Sequence, residues 1–247
     1  MNKYFTKNIL IVALSSLFLT DIAFAYKAPR NPSRPKTTTS NATRNDICFN
    51  DTKSHLTLLA PVGHIGQSVS QQPTFSWFLP DSKPRKMTFS IFEYVNNKRG
   101  NKIKSFEFDS KPGSLMKFSP SQQDFTFQTG KTYLWQISYI CDRNNPINDV
   151  FREAVIEIIP KSPILTRQIS QATTPMQRAQ VYADAGLWYD AFAEVYENPQ
   201  AKQLRAKLLA TLSKLETESA NNTSEIKLKD SLELQALELQ RISVQKQ

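Results

Sequence analysis

Residues 132–141 read TYLWQISYIC, and this run constrains the fold more than any other stretch. With a period of two, Tyr133, Trp135, Ile137, Tyr139 and Cys141 share one face, and Thr132, Leu134, Gln136, Ser138 and Ile140 the other. The first face is apolar and aromatic throughout and the second carries Leu134 and Ile140, so the segment is expected to be a largely buried central strand. Such a strand needs neighbours along both edges, and the preceding residues offer them. A short strand is expected at 56–60. PTFSWFLP at 73–80 alternates cleanly, with Phe75, Trp77 and Leu79 on one face and a proline at each end. Residues 87–95 and 102–108 flank Asn96-Asn97-Lys98-Arg99-Gly100-Asn101, a hairpin-loop signal. Pro112-Gly113 turns the chain into 114–118, and 150–159 closes the series.

About seven short strands separated by turn residues predict an all-β sandwich over 47–160, immunoglobulin/fibronectin-III-like in class. Tyr139, two residues before Cys141, has the spacing of a tyrosine corner, and Tyr133 is an equal candidate. Pro160 marks a change to helical periodicity. Ser162-Pro163 and Thr174-Pro175-Met176-Gln177 are helix starts, the second a capping box. Gly186 breaks the helix that follows, and Leu187, Trp188, Phe192 and Val195 are expected to pack in a core. Residues 161–218 therefore read as a helical hairpin region. Leu228, Leu232, Leu239 and Ile242 form the seam of a C-terminal amphipathic helix within 219–247, interrupted by Gln235. The α-helical region is thus expected to follow the sandwich.

The first 25 residues are expected to be a secretory signal peptide. Lys3 and Lys7 make a basic start, 9–19 an apolar run too short to span a bilayer, and Ala23-Phe24-Ala25 a cleavage pattern. Residues 26–46, with three prolines and five basic groups against one acid, read as a disordered basic leader. No later segment is expected to cross a membrane. Export to the periplasm or the extracellular space bears on Cys48 and Cys141, the only cysteines, which most simply form one disulfide. Free buried thiols and an intermolecular bridge are the alternatives. The net charge of +9 suits an anionic polymer, lipid head groups or an acidic partner, and equally suits solubility alone.

Lys98, Arg99, Lys102 and Lys104 crowd one hairpin and form the candidate partner surface, although a charged tip is commonly just a solvated one. No aromatic residue interleaves with them, so nucleic acid is not expected. There is no nucleophile elbow, no zinc-binding His-Glu-x-x-His and no phosphate-cradling glycine loop. No cofactor, metal site or catalytic residue is expected. His55 and His64 lack an evident partner set, and Asp184 with Asp190 have no recognised acid–base spacing.

The early cysteine, residues 56–61 before a glycine-bearing turn, PTFSWFLP, GKTYLWQISYIC and AGLWYDAFAEV with its leucine-rich successor occur in an order that resembles the domain-of-unknown-function family 928. That family is seen chiefly in cyanobacterial exported proteins. The resemblance covers roughly 46–215, departs from the usual pattern at Leu187 and Phe192, and implies no activity. The expected function is a non-enzymatic binding or scaffolding module of the cell envelope, meeting an envelope protein or an anionic polymer. The alternative is an envelope hydrolase or polysaccharide-processing accessory with carboxylates between the two regions.

Overall fold

The structure, a computed structural model, describes residues 26–29, 35, 55–80, 83–111, 114–140 and 149–245. The alternating run is the central strand its pattern requires. β7 (Thr132–Tyr139) pairs antiparallel with β4 (Lys86–Val95) along one edge and β8 (Val150–Ile158) along the other. Tyr133, Trp135, Ile137 and Tyr139 are buried on one face, and Leu134 and Gln136 on the other. β5 (Lys98–Asp109) extends the sheet past β4, and β2 (Gly66–Ser68) runs parallel to β8, giving the order β2-β8-β7-β4-β5. A second sheet holds β1 (Thr57–Leu58), β3 (Phe75–Leu79) and β6 (Ser114–Phe118), antiparallel in the order β1-β3-β6. The sheets meet through aromatic rings. Phe75 of β3 lies 4.8 Å from Phe89 of β4 and 4.9 Å from Trp135 of β7, centroid to centroid.

The helices complete this core. α1 (Pro163–Gln171) starts at Ser162, whose hydroxyl accepts from the Leu165 N–H, and α2 (Pro175–Asp184) starts at the Thr174 capping box. Gly186, with φ of +79°, makes the turn into α3 (Trp188–Tyr196). A short 3-10 turn at Pro199–Ala201 precedes α4 (Lys202–Asn221), which pairs with α5 (Ile226–Val244). Tyr189 of α3 reaches between the sheets, where its hydroxyl accepts from Trp135 Nε1 at 2.8 Å. Arg241 of α5 lies 5.3 Å from the Phe78 ring, on the face of β3 that points away from the other sheet. Leu208, Leu212, Leu232 and Leu239 are fully buried, each worth about 1.5–3 kcal/mol in removed apolar surface.

The expected all-β immunoglobulin/fibronectin-III-like sandwich is therefore corrected. Of the described residues 38% are helical and 29% strand, one sheet is mixed, and strand and helix side chains share one hydrophobic cluster. The physical reason lies in α3: Tyr189 lies against Phe75 and Trp135 of the two sheets, and with Trp188, Phe192 and Val195 it is buried in the same cluster as the strand side chains. No disulfide is seen among the described residues, and Cys48 and Cys141 lie outside them, so no covalent tie enters the account of stability.

Two local expectations also change. The hairpin loop expected over 96–101 is only Asn96-Asn97, with φ of 53° and 58°, a two-residue turn of the kind that matches strand twist. Lys98–Asn101 are consequently strand. Residues 26–29 are seated on the helices instead of belonging to a free leader: Tyr26 is 3% exposed, and the Lys27 N–H donates to the Ala183 carbonyl at 3.1 Å.

Candidate functional site

Two places carry polar chemistry beyond ordinary surface. The first is the connection from β1 to β2, held between the sheets and the helices by buried polar side chains. The Glu216 carboxylate on α4 accepts from the Val62 and Gly63 backbone N–H groups, each at 2.8 Å. Gly63 has to be glycine for this approach, since a Cβ there would lie 2.6 Å from Ser219 and 2.8 Å from Glu216 Oε2. Trp188 Nε1 donates to the Leu59 carbonyl at 2.8 Å, and Gln235 Nε2 of α5 donates to the Leu58 carbonyl at 2.7 Å. Asp190 of α3 accepts from the Val69 N–H at 3.1 Å. His64 meets the Tyr26 hydroxyl at 3.0 Å.

Burial dominates the electrostatics here. It pushes the Glu216 carboxyl up to about 7 against the two N–H donors, and the Asp190 carboxyl up to about 6 against Ser68 and Val69. It pushes His64 down to about 4, so the ring is neutral at pH 7. Raised carboxyls are what an acid–base catalyst needs, but a catalyst also needs an opening to its substrate. Glu216 is engaged by the backbone of this connection and Asp190 by Val69, just past β2, and neither acid lines the hollows beside His55, the two-residue turn or Met176. The arrangement clamps a loop.

The second place is a groove of about 620 Å³ at the end of the five-stranded sheet, beside the two-residue turn. Tyr94 and Val95 of β4, Ile103 of β5, Phe125 and Tyr133 line it, with Glu93, Asn96, Thr126, Gln128, Lys131 and Thr132 as its polar groups. Tyr133 Oη accepts from the Gln128 N–H at 3.1 Å, tying the loop before β7 to the groove wall. β5 contributes Ile103 to this groove, and the candidate cations Lys98, Arg99, Lys102 and Lys104 lie on the same strand. The register of β4 on β5 shifts between Ile91 and Phe92, and again between Phe92 and Tyr94. These bulges break the strict alternation, so that Lys102 is paired opposite Phe92 and Lys104 opposite Ile91.

The four cations are not equivalent. Arg99 folds back over the sheet, with its guanidinium 3.7 Å from the Phe92 ring and 3.5 Å from the Glu153 carboxylate, which is almost fully buried. Lys102 lies 5.8 Å from the same ring, and Lys104 5.8 Å from Phe106. Lys98, Lys102 and Lys104 are exposed. Arg99 is thus committed to the fold, and the three lysines form the basic edge.

Asp184 and Asp190 do not form a pair. Asp184 is exposed at the end of α2 and ion-paired to Lys27; burial raises its carboxyl, but the hydrogen bonds from Lys27 and Gln180 outweigh this and hold it below the usual range. His55 lines a small hollow with Val62, Arg152, Glu153 and Glu238, and His64 is not part of that lining. Among the described residues no three His, Cys, Asp or Glu side chains gather as a metal site. No helix among them is long and apolar enough to cross a membrane. Sequence reasoning missed Glu216, whose only signal was an acid in line with the buried face of a leucine-rich helix. It also missed the groove, whose wall comes from three separate segments.

No curated protein matches the chain. The order of strands and helices that builds the loop clamp spans the region matched by one family model, residues 39–240, and the chain belongs to that family, the Domain of Unknown Function (DUF928).

Proposed function

We propose that this protein is an exported, non-enzymatic binding module of the cell envelope, and that its groove beside β5 holds an anionic polysaccharide chain. The observation that carries the reading is a groove of aromatic rings and polar groups, Lys131 among them, to which β5 contributes Ile103 while also carrying Lys98, Lys102 and Lys104. Rings and short polar side chains suit the alternating apolar and hydroxylated faces of a sugar. The lysines supply the charge complementarity. Bulges and lysines are also what keeps a sheet edge from pairing with a foreign strand, which disfavours an added peptide strand as the occupant. The export part rests on the basic start, the apolar run and the Ala23-Phe24-Ala25 pattern.

The test is retention of the chain, purified from an exporting host, on immobilised sulfated dextran against neutral dextran at low and high salt. Retention on the anionic matrix is expected, weakening as salt rises. A Lys98→Glu/Lys102→Glu/Lys104→Glu variant should lose it while melting like the wild type, and Phe125→Ala should weaken it with the lysines intact. Equal retention of wild type and triple variant would sink the proposal.

A further inference from the structure

The four residues after the expected cleavage point are built into the fold in a way the function does not require. Tyr26 is 3% exposed. Its ring lies edge-on to Trp188 at 5.0 Å and is stacked with His64 at 6.0 Å, centroid to centroid. Its hydroxyl sits 3.0 Å from His64 Nε2 and 3.5 Å from the Gly186 carbonyl. Next along the chain, the Lys27 N–H satisfies the Ala183 carbonyl in the last turn of α2, and the Lys27 ammonium pairs with Asp184 at 2.6 Å. The Lys27 carbonyl and Pro29 pass so close to Gly186 that a Cβ there would meet them at 3.2 and 3.4 Å. Ring, hydroxyl, N–H and ammonium each find a separate partner in the α2–α3 corner, which makes a socket of defined shape.

We propose that this corner is a binding site for the chain's own processed N-terminus. Tyr26 is the residue that signal-peptide removal leaves first, and it seats between Trp188 and His64 only after the cut. The inference rests on the export reading and adds an order of events to it. A protease needs the peptide bond on either side of its cut extended and accessible. With Tyr26 seated, the bond that must be cut runs into a buried residue. Cleavage therefore comes before seating, and seating fastens the α2–α3 corner to the β1–β2 connection through His64. A seated terminus is also hidden from aminopeptidases. The Ala28-Pro29 bond resists most of them, so trimming of an unseated end should stop after Tyr26 and Lys27, a discrete mass step.

The experiment takes the full-length chain from an exporting host and reads its intact mass before and after aminopeptidase treatment under native conditions. Tyr26→Ala and Tyr26→Phe are treated alongside. The expected wild type begins at Tyr26 and resists trimming. Tyr26→Ala should lose its first two residues roughly tenfold faster, because trimming follows the population of the open terminus. Tyr26→Phe, which keeps the ring and loses the hydroxyl, should fall between them, and it preserves the test if Tyr26→Ala does not fold. A mature chain beginning elsewhere overturns the inference while leaving export standing. A chain that retains Met1 overturns both. Equal trimming of wild type and both variants overturns the socket alone.

Discussion

Replacing Glu216 with glutamine separates the charge of the loop clamp from its shape. The Glu216 carboxyl has an ordinary value of 4.5 and is pushed to about 7 by burial. Its folded value is raised, so between these two values the folded state holds a proton that the unfolded chain has released. Stability contributed by this group is therefore present at low pH and is lost as the pH rises through about 7. Integrated between pH 5 and pH 8, the linkage is about 2.5 kcal/mol. Asp190 acts in the same sense, while His64, neutral when folded, acts in the opposite sense as it charges in the unfolded chain. Those contributions cancel when wild type and Glu216→Gln are compared at each pH. Glutamine keeps one acceptor for Val62 or Gly63 but turns an NH₂ toward the other N–H, a loss of about 1–3 kcal/mol at any pH. The assay is urea unfolding of both proteins at pH 5 and pH 8. Stability of the wild type relative to Glu216→Gln should be about 2–3 kcal/mol more favourable at pH 5 than at pH 8. A difference that is the same at both pH values, or larger at pH 8, would refute the claim that burial outweighs the two N–H donors.

Two further substitutions test the packing. Gln235→Leu completes the apolar seam of α5 but removes the donor to the Leu58 carbonyl; it should destabilise by about 1 kcal/mol in urea, and a gain in stability would show that the hydrogen bond is immaterial. Gly186→Ala forces a side chain onto φ of +79° and against the Lys27 carbonyl, costing about 1–3 kcal/mol. For a chain of this size that lowers the melting temperature by about 2–4 °C per kcal/mol, and an unchanged melt would mean the corner relaxes freely.

The strands were legible where alternation was strong. β3, β7 and β8 lie within a residue or two of their expected bounds, because each side chain's face follows from the pleat alone. Helix starts were legible at Ser162 and Thr174, where the cap is a local hydrogen bond. What could not be read was anything decided by distant partners. β2 is three residues with a glycine and two polar side chains, and only β8 makes it a strand. Gln235 looked like a flaw in a seam until Leu58 stood opposite it. The two-residue turn was hidden because Lys98, Arg99, Gly100 and Asn101 have loop composition, yet β4 pairs with Lys98 and Arg99 and β5 runs on through Gly100 and Asn101. The class was misjudged for a related reason. Periodicity shows that α3 has an apolar face, but cannot show that Tyr189 will use it to reach Trp135 between two sheets.

The raised carboxyls bear most directly on the hydrolase alternative, because an acid held near neutrality between two layers is what such an enzyme would display. The difference lies in what each acid faces. A catalytic carboxyl spends its oxygens on substrate or water, and its raised value is the cost of an apolar but reachable pocket. Glu216 spends both oxygens on Val62 and Gly63, with Ser219 where any side chain at Gly63 would go. Opening that site to a substrate would strip two buried N–H groups of their acceptor, at about 1–3 kcal/mol each, before any chemistry began. The same loop passes His64 to Tyr26 and Leu59 to Trp188, so freeing it would also loosen the corner where residues 26–29 sit. A group that holds together the two layers of a fold is a poor candidate for turnover. The proposed polysaccharide, by contrast, would meet the groove and the exposed lysines of β5 without unfolding anything.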